Sequence, residues 1–174
     1  MKALGPDQHR SLVAAADDIA EEVHCADAVA GLGAGLAALA PYLRRDLAVI
    51  ALGIAGEAAR AEAIGGLGIG LSALASEVHP SLVAAALNLT DEVPRAMAIK
   101  GLGAGLPAFT STLRQAIVTA AIGFTDEWAR TMAIAGLGAG LATLTPDQHR
   151  SVIRAAAGIT HKWSRAVALA NLAA

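Results

Sequence analysis

Gly31-Leu32-Gly33-Ala34-Gly35-Leu36 returns as Gly66-Leu67-Gly68-Ile69-Gly70-Leu71, then at Gly101 to Leu106 and at Gly136 to Leu141, 35 residues apart each time. A degenerate fifth copy, Asn171-Leu172-Ala173-Ala174, falls one step further on. The other end of the period is marked too. Leu4-Gly5-Pro6-Asp7-Gln8-His9-Arg10-Ser11 comes back as Leu144-Thr145-Pro146-Asp147-Gln148-His149-Arg150-Ser151, 140 residues and therefore four periods later. A constant period of about 20 to about 50 residues marks a solenoid or array. The units run 4–38, 39–73, 74–108, 109–143 and, with 31 residues, 144–174, so that 1–174 is one repeat domain.

Each unit reads as two helices. The first opens near Pro6, Pro41, Ser76, Ser111 or Pro146 and loosens at Asp18, Gly53, Asn88, Gly123 or Gly158. The second starts at Thr90-Asp91-Glu92, Thr125-Asp126-Glu127 or Thr160-His161-Lys162, with Thr as the expected N-cap and acidic residues suiting the helix dipole. Pro80 and Pro94 fall in the first turns of their helices, where few N–H bonds are lost. No segment alternates with the period of two that a half-buried strand needs. The expected fold is all-α, an α-solenoid of five two-helix repeats.

Composition agrees. Of 174 residues, 44 are Ala and 18 are Gly, and twelve of those glycines sit in the four hexapeptides. Small residues gain little from burial one by one, so such a core needs helices whose backbones come close together. The glycines are expected inside the second helix, where each costs about 1 kcal/mol relative to Ala unless packing compensates. Gly31 and Gly35 would admit a neighbouring backbone. A phosphate-cradling loop is the rival, but the hexapeptide does not fit G-x-G-x-x-G, follows no strand and precedes no Lys-Ser/Thr.

Charge and cysteine content exclude other classes. Charged residues are 16% of the chain, too few for a disordered segment. The net charge of −2 disfavours a general nucleic-acid binder. The single cysteine, Cys25, excludes an internal disulfide and a Cys-based zinc site; exposed, it would be able to cross-link two chains. The longest uncharged runs, 28–43 and 131–146, have 16 residues each and contain Gly and Pro, so no membrane span is expected. Met1-Lys2-Ala3 leads straight into Pro6-Asp7 without a secretory signal. The expected location is the cytoplasm, or the cytosol of a host cell after delivery.

The second helix resembles a HEAT-type repeat. Asp126-Glu127-Trp128-Ala129-Arg130-Thr131-Met132-Ala133-Ile134-Ala135-Gly136-Leu137-Gly138 follows that family's acidic turn, its Arg four residues later, then Ala and Leu-Gly; Asp91 to Gly103 matches as well. The resemblance implies a right-handed α-solenoid acting as a scaffold, with Asp and Arg (here Asp91, Arg95, Asp126 and Arg130) bridging adjacent repeats. The first helix lacks the family's mid-helix proline, which suggests a divergent branch. A shorter stretch, Leu144-Thr145-Pro146-Asp147-Gln148, is similar to the opening of a transcription-activator-like effector repeat, which reads DNA bases. Its Gly-Gly-Lys-Gln turn is missing, and small residues such as Ala155-Ala156-Ala157 occupy the base-reading places. Nucleic-acid binding along the Arg and His columns is therefore the alternative function.

Comparison of the units separates packing columns from variable ones. Glu57, Glu92 and Glu127 lie three residues before Arg60, Arg95 and Arg130, with Arg165 closing the column; these form an expected structural ladder of i, i+3 pairs. His9, His79 and His149 share a column with Arg44 and Arg114, two repeats apart and so too far apart to bind one metal; a solvated face is expected. Neither a catalytic site nor a cofactor is expected.

Variation concentrates on one stripe of the second helix. Val23, Ala58, Val93, Trp128 and Trp163 form one column; Asp27, Glu62, Met97, Met132 and Val167 follow one turn on; Ala30, Gly65, Lys100, Ala135 and Ala170 come next. Spacing of i, i+4, i+7 puts them on one face. If second helices line the concave side, as the resemblance implies, a protein partner is expected in a groove at Met97, Lys100, Trp128, Met132, Trp163 and Val167. The other reading puts both Trp side chains in gaps between repeats. Residues 4–38 carry a net −5 and residues 144–174 a net +3. The acidic head and basic tail suggest a homo-oligomer built through the repeat ends, the alternative being a piece of a longer array.

Overall fold

Proline occupies the first helical position of the first helices at Pro6, Pro41 and Pro146, where its missing N–H costs nothing. In the computed structural model, which describes residues 5–173, the chain forms ten α-helices. They are α1 Pro6–Asp17, α2 Glu22–Gly33, α3 Pro41–Gly53, α4 Glu57–Leu67, α5 His79–Leu87, α6 Glu92–Gly103, α7 Ser111–Gly123, α8 Glu127–Leu137, α9 Pro146–Ala157 and α10 Lys162–Leu172. Short 3₁₀ segments follow four of them, at Leu36–Ala38, Gly68–Ala73, Leu106–Ala108 and Gly138–Thr143, and the described residues contain no strand. The start of α5 departs from expectation. Ser76 to Val78 form a turn, and the helix begins at His79. Pro80 is the reason: a helix starting at Ser76 would place the ring beyond the first turn, where it removes a hydrogen bond.

The second helices also start differently from the reading of their sequence. The N-cap is Asp91 in α6, Asp126 in α8 and His161 in α10, one residue after the Thr expected there. The Asp126 carboxylate accepts from the Ala129 N–H at 2.7 Å. Within the last four pairs the chain turns around a buried apolar residue, Ile54, Leu89, Phe124 or Ile159, and in the first around the half-buried Ile19. Between pairs it turns around another, Leu39, Leu74, Phe109 or Leu144.

Packing between pairs is unequal. The even-numbered helices stack intimately, α2 on α4, α4 on α6, α6 on α8 and α8 on α10, whereas the odd-numbered helices touch their successors more lightly. This arrangement is consistent with a helical repeat array. Ile64, Ile99 and Ile134, with Leu67, Leu102 and Leu137, are fully buried in the even-helix stack.

The glycine hexapeptide does not lie inside the helix as expected. It straddles the end: α2 stops at Gly33, α4 at Leu67, α6 at Gly103 and α8 at Leu137, and the rest continues into the 3₁₀ segment. No described residue, glycine included, has a positive φ. Backbone freedom is therefore not why glycine is present; the missing Cβ is.

Each of the three columns has its own neighbour. A Cβ on the first glycine (Gly66, Gly101 or Gly136) would overlap the backbone of Ala30, Gly65 or Lys100 in the preceding even helix. One on the third (Gly33, Gly68 or Gly103) would overlap the carbonyl of Gly66, Gly101 or Gly136 in the next. One on the fifth would strike the preceding repeat again, as Gly105 shows against Leu71 Cδ2 at 2.6 Å. The first unit corrects the expectation for Gly31 and Gly35. A Cβ on Gly31 meets nothing within 4 Å and one on Gly35 only its own Leu32 carbonyl.

Gly31 and Gly101 thus occupy one sequence column in different surroundings. Gly31→Ala should be neutral or raise stability by up to about 1 kcal/mol through helix propensity. Gly101→Ala should lower it by about 3 kcal/mol or more, since the obstacle is backbone and cannot rotate away. Urea denaturation of the two single variants at low protein concentration checks the contrast.

Candidate functional site

The variable stripe lies on α2, α4, α6, α8 and α10. Trp128 and Trp163, whose reading was open between core and surface, stand on the surface at 45% and 58% exposure. Their rings stack with centroids 5.7 Å apart and planes 18° from parallel. Such a pair is worth about 0.5–1.5 kcal/mol beyond its area burial. Val23 and Val93 of the same column are also exposed. One turn on, Asp27 and Glu62 are exposed, while Met97, Met132 and Val167 are half-buried. Met97 and Met132 rest against the core.

The third column of the stripe corrects its assignment as open surface. Ala30, Gly65 and Ala135 are half-buried, and Ala30, Gly65 and Lys100 form the seam against which the next helix's glycine sits. Only the Lys100 and Ala170 places are exposed. The structure therefore joins Trp128 to Trp163 directly and leaves Lys100 as a cation leaving the seam.

A polar ladder runs beside this stripe, and its wiring differs from the one implied by the HEAT resemblance. The bridging carboxylate is Glu, not Asp. Glu57 accepts from the Thr90 N–H and Asp91 N–H at 3.0 and 3.1 Å and from the Thr90 hydroxyl at 2.8 Å. Glu92 does the same with Thr125 and Asp126, and Glu127 with Thr160 and His161. Glu22 accepts from Ala55 N–H and Gly56 N–H, where no hydroxyl is available. Each carboxylate thus takes up free N–H groups at the N-terminus of the next even helix, a favourable place for negative charge. The receiving threonines were missed from sequence. Their signal was the Thr 33 residues after Glu57, Glu92 and Glu127, which only gains meaning once the helices are stacked.

The arginines serve a shorter connection. Arg60, Arg95, Arg130 and Arg165 each donate to the carbonyl six residues earlier, on Ile54, Leu89, Phe124 and Ile159, at 2.9–3.2 Å. The i, i+3 pairs to glutamate are looser, 3.8 Å for Arg95–Glu92 and 3.6 Å for Arg130–Glu127. Arg95 also lies over the Phe124 ring, 5.2 Å from its centroid.

The His and Arg column is not the solvated face it was expected to be. His79 is buried, its Nε2–H donates to the Leu71 carbonyl at 3.2 Å, and its ring meets Phe109 edge-on at 5.5 Å. His149 donates likewise to Leu141. Arg44 reaches the carbonyls of Leu39, Ala73 and Ala37, and Arg114 that of Phe109. The column satisfies carbonyls that the 3₁₀ segments and the links after them leave free. Its cations are thereby occupied with main chain, as are those of the other arginine column. Among the described residues, no group of three or more His, Cys, Asp or Glu could hold a metal ion. None of the described helices is long and apolar enough to cross a membrane.

Cys25 is buried and so lacks the exposure that cross-linking would need, and burial pushes its thiol above the ordinary range. It lines a cleft of about 700 Å³ between α1 and α3 with an apolar floor that includes Val13, Leu43 and Ile50.

The ladder has a consequence for pH. Backbone N–H bonds from the next repeat hold the carboxyls of Glu57, Glu92 and Glu127 below their ordinary 4.5. A carboxyl depressed on folding stabilises fully above its unfolded value and loses that contribution as pH falls through the folded value. The thermal midpoint should therefore drop as pH is lowered from about 5 to about 3. Glu57→Gln/Glu92→Gln/Glu127→Gln should melt earlier at neutral pH and show a flatter acid limb, measured by circular dichroism.

No family model matches the chain, and neither does any curated protein or any solved structure.

Proposed function

We propose that the chain is a right-handed α-solenoid of five two-helix units, HEAT-like in its second helices, working as a non-catalytic protein-interaction scaffold. The observation that carries this reading is the stacked, exposed Trp128–Trp163 pair on the stripe where the repeats differ most. The even helices are the more tightly spaced row, and the tighter row of a curved array lies on its inner side. This supports reading the stripe as the lining of a concave groove, acidic at Asp27 and Glu62 and aromatic at the other end. A Trp side chain carries roughly 250 Å² at most, so covering the exposed parts of both removes on the order of 250 Å² from water. At 25 cal/mol per Å² this is about 6 kcal/mol before ordering costs, enough for a hot spot. Met132 and Val167 extend the apolar surface, with Met97 and Lys100 beside them. No cofactor is required.

Nucleic-acid binding would need free cations along the Arg and His columns. Those side chains are engaged with carbonyls, which favours the protein-binding reading.

The test compares wild type with Trp128→Ala/Trp163→Ala in affinity capture from the native lysate. The double variant should retain its helicity, lose no more than about 1.5 kcal/mol of stability and fail to retain the proteins captured by wild type. Equal capture by both would overturn the groove. A low-salt gel shift with DNA and RNA should show no complex.

A further inference from the structure

The cleft beside Cys25, between consecutive units, recurs further along the chain. A second cleft, of about 450 Å³, lies between α5 and α7, and every residue lining it has a counterpart 70 residues earlier that lines the first. That offset is two periods, so one cleft is built twice. The chemistry differs at three charged or chargeable places. Arg95, Leu87 and Ala116 of the later cleft stand as Cys25, Asp17 and Asp46 in the earlier one, which is the larger at about 700 Å³. A cation is lost and two carboxylates are gained.

The later units show what this place holds. Arg60, Arg95, Arg130 and Arg165 each donate from the guanidinium to the carbonyl six residues earlier. Arg95 also lies 3.8 Å from the carboxylate of Glu92 and covers the Phe124 ring on the cleft wall. In the first unit these partners are kept and the arginine is not. The matching carbonyl is that of Ile19, which has no hydrogen-bond partner among the described residues. Glu22 is the matching carboxylate, and Ile54 stands for Phe124 as the apolar wall. Cys25 is 7% exposed, and its thiol has no hydrogen-bond partner among the described residues. Asp17 and Asp46 are exposed and enter no ion pair among the described residues. Two helices end on the cleft, α1 at Asp17 and α3 at Gly53, and helix C-termini favour a cation. Arg10 lines the opposite end, about 10 Å before Asp17 along α1, and donates to the Tyr42 hydroxyl.

We propose that the cleft between α1 and α3 binds an alkylguanidinium cation, whose head takes the place that an arginine fills in each of the other units. The head bonds the Ile19 carbonyl and Glu22, with Asp17 and Asp46 beside it, and the stem lies on Val13, Leu43 and Ile50. A guanidinium offers several N–H donors in one plane and is more weakly hydrated than an ammonium, which suits several acceptors above an apolar floor. The cleft has the volume of a small-molecule site. This inference goes beyond the protein-binding reading and is independent of it, since Trp128 and Trp163 belong to other units.

Isothermal titration calorimetry of the full chain tests it with three probes: butylguanidinium, its neutral isostere butylurea, and a capped glycine peptide with one central arginine. Butylguanidinium should bind at one site, and butylurea at least about ten-fold more weakly. Asp17→Asn/Asp46→Asn, at exposed places, should weaken butylguanidinium about ten-fold. Cys25→Arg supplies the chain's own guanidinium, so it should lose the binding while melting no earlier than wild type. Cys25→Ala leaves the cleft open and should retain the binding. A peptide that binds more tightly than butylguanidinium identifies an arginine side chain as the source of the head, and a weaker one a free small molecule; Cys25→Arg should remove either. Absence of saturable binding by both guanidinium probes, equal binding of butylurea, loss of binding in Cys25→Ala, or binding that survives in a folded Cys25→Arg overturns the proposal. Partner capture by the Trp variant has no bearing on these outcomes, so the two readings fail separately.

Discussion

Contact between main chains without intervening side chains governs this fold. At the first three junctions a glycine of one even helix sits on the backbone of the helix before it, and another presses on the carbonyl of the helix after it; at the fourth only the second contact is made, by Gly138 on the Asn171 carbonyl. The spacing of the even helices is then fixed by backbone dimensions. Close-packed interiors tolerate no added methyl against an immovable neighbour. The leucines and isoleucines fill the small volume that remains. This explains how an Ala- and Gly-rich chain with few aromatics can still build a continuous core.

The polar groups follow from the same spacing. Bringing even helices together aligns the glutamate of one with the free N–H groups at the start of the next, where the geometry suits a carboxylate. The short 3₁₀ segments that turn the chain leave carbonyls uncovered, and one column supplies Arg or His to cover them. Arginine and histidine alternate in that column because both offer N–H donors of suitable reach, not because their charge is needed at a surface. The first column of the stripe lies outside these duties and is free to vary, and it holds the stacked tryptophans.

Periodicity made the helix pairs legible from sequence, since a unit repeated at constant spacing must make the same contacts each time. The need for close backbone approach was also legible from the glycines. Their location was not: whether the hexapeptide continues α2 or ends it depends on hydrogen bonding that propensity does not specify. The ladder was read as an i, i+3 pair within one helix because sequence displays local neighbours. Its stronger partners lie 33 and 34 residues away. The His column looked solvated for a similar reason, its acceptors being main-chain carbonyls that carry no sequence mark.

The sequence by itself determined the period, the all-helical class, the small-residue core and the stripe on which the units differ. These are properties of composition and spacing, which exist before the chain folds. Tertiary structure alone decided which glycines are indispensable, since Gly31 and Gly101 are the same letter in the same column. It likewise decided that the carboxylate bridge uses Glu and that Trp128 and Trp163 stack in solvent. In each case the deciding quantity is the distance to an atom in another repeat. That distance is set by packing the whole row of helices, which no single unit contains.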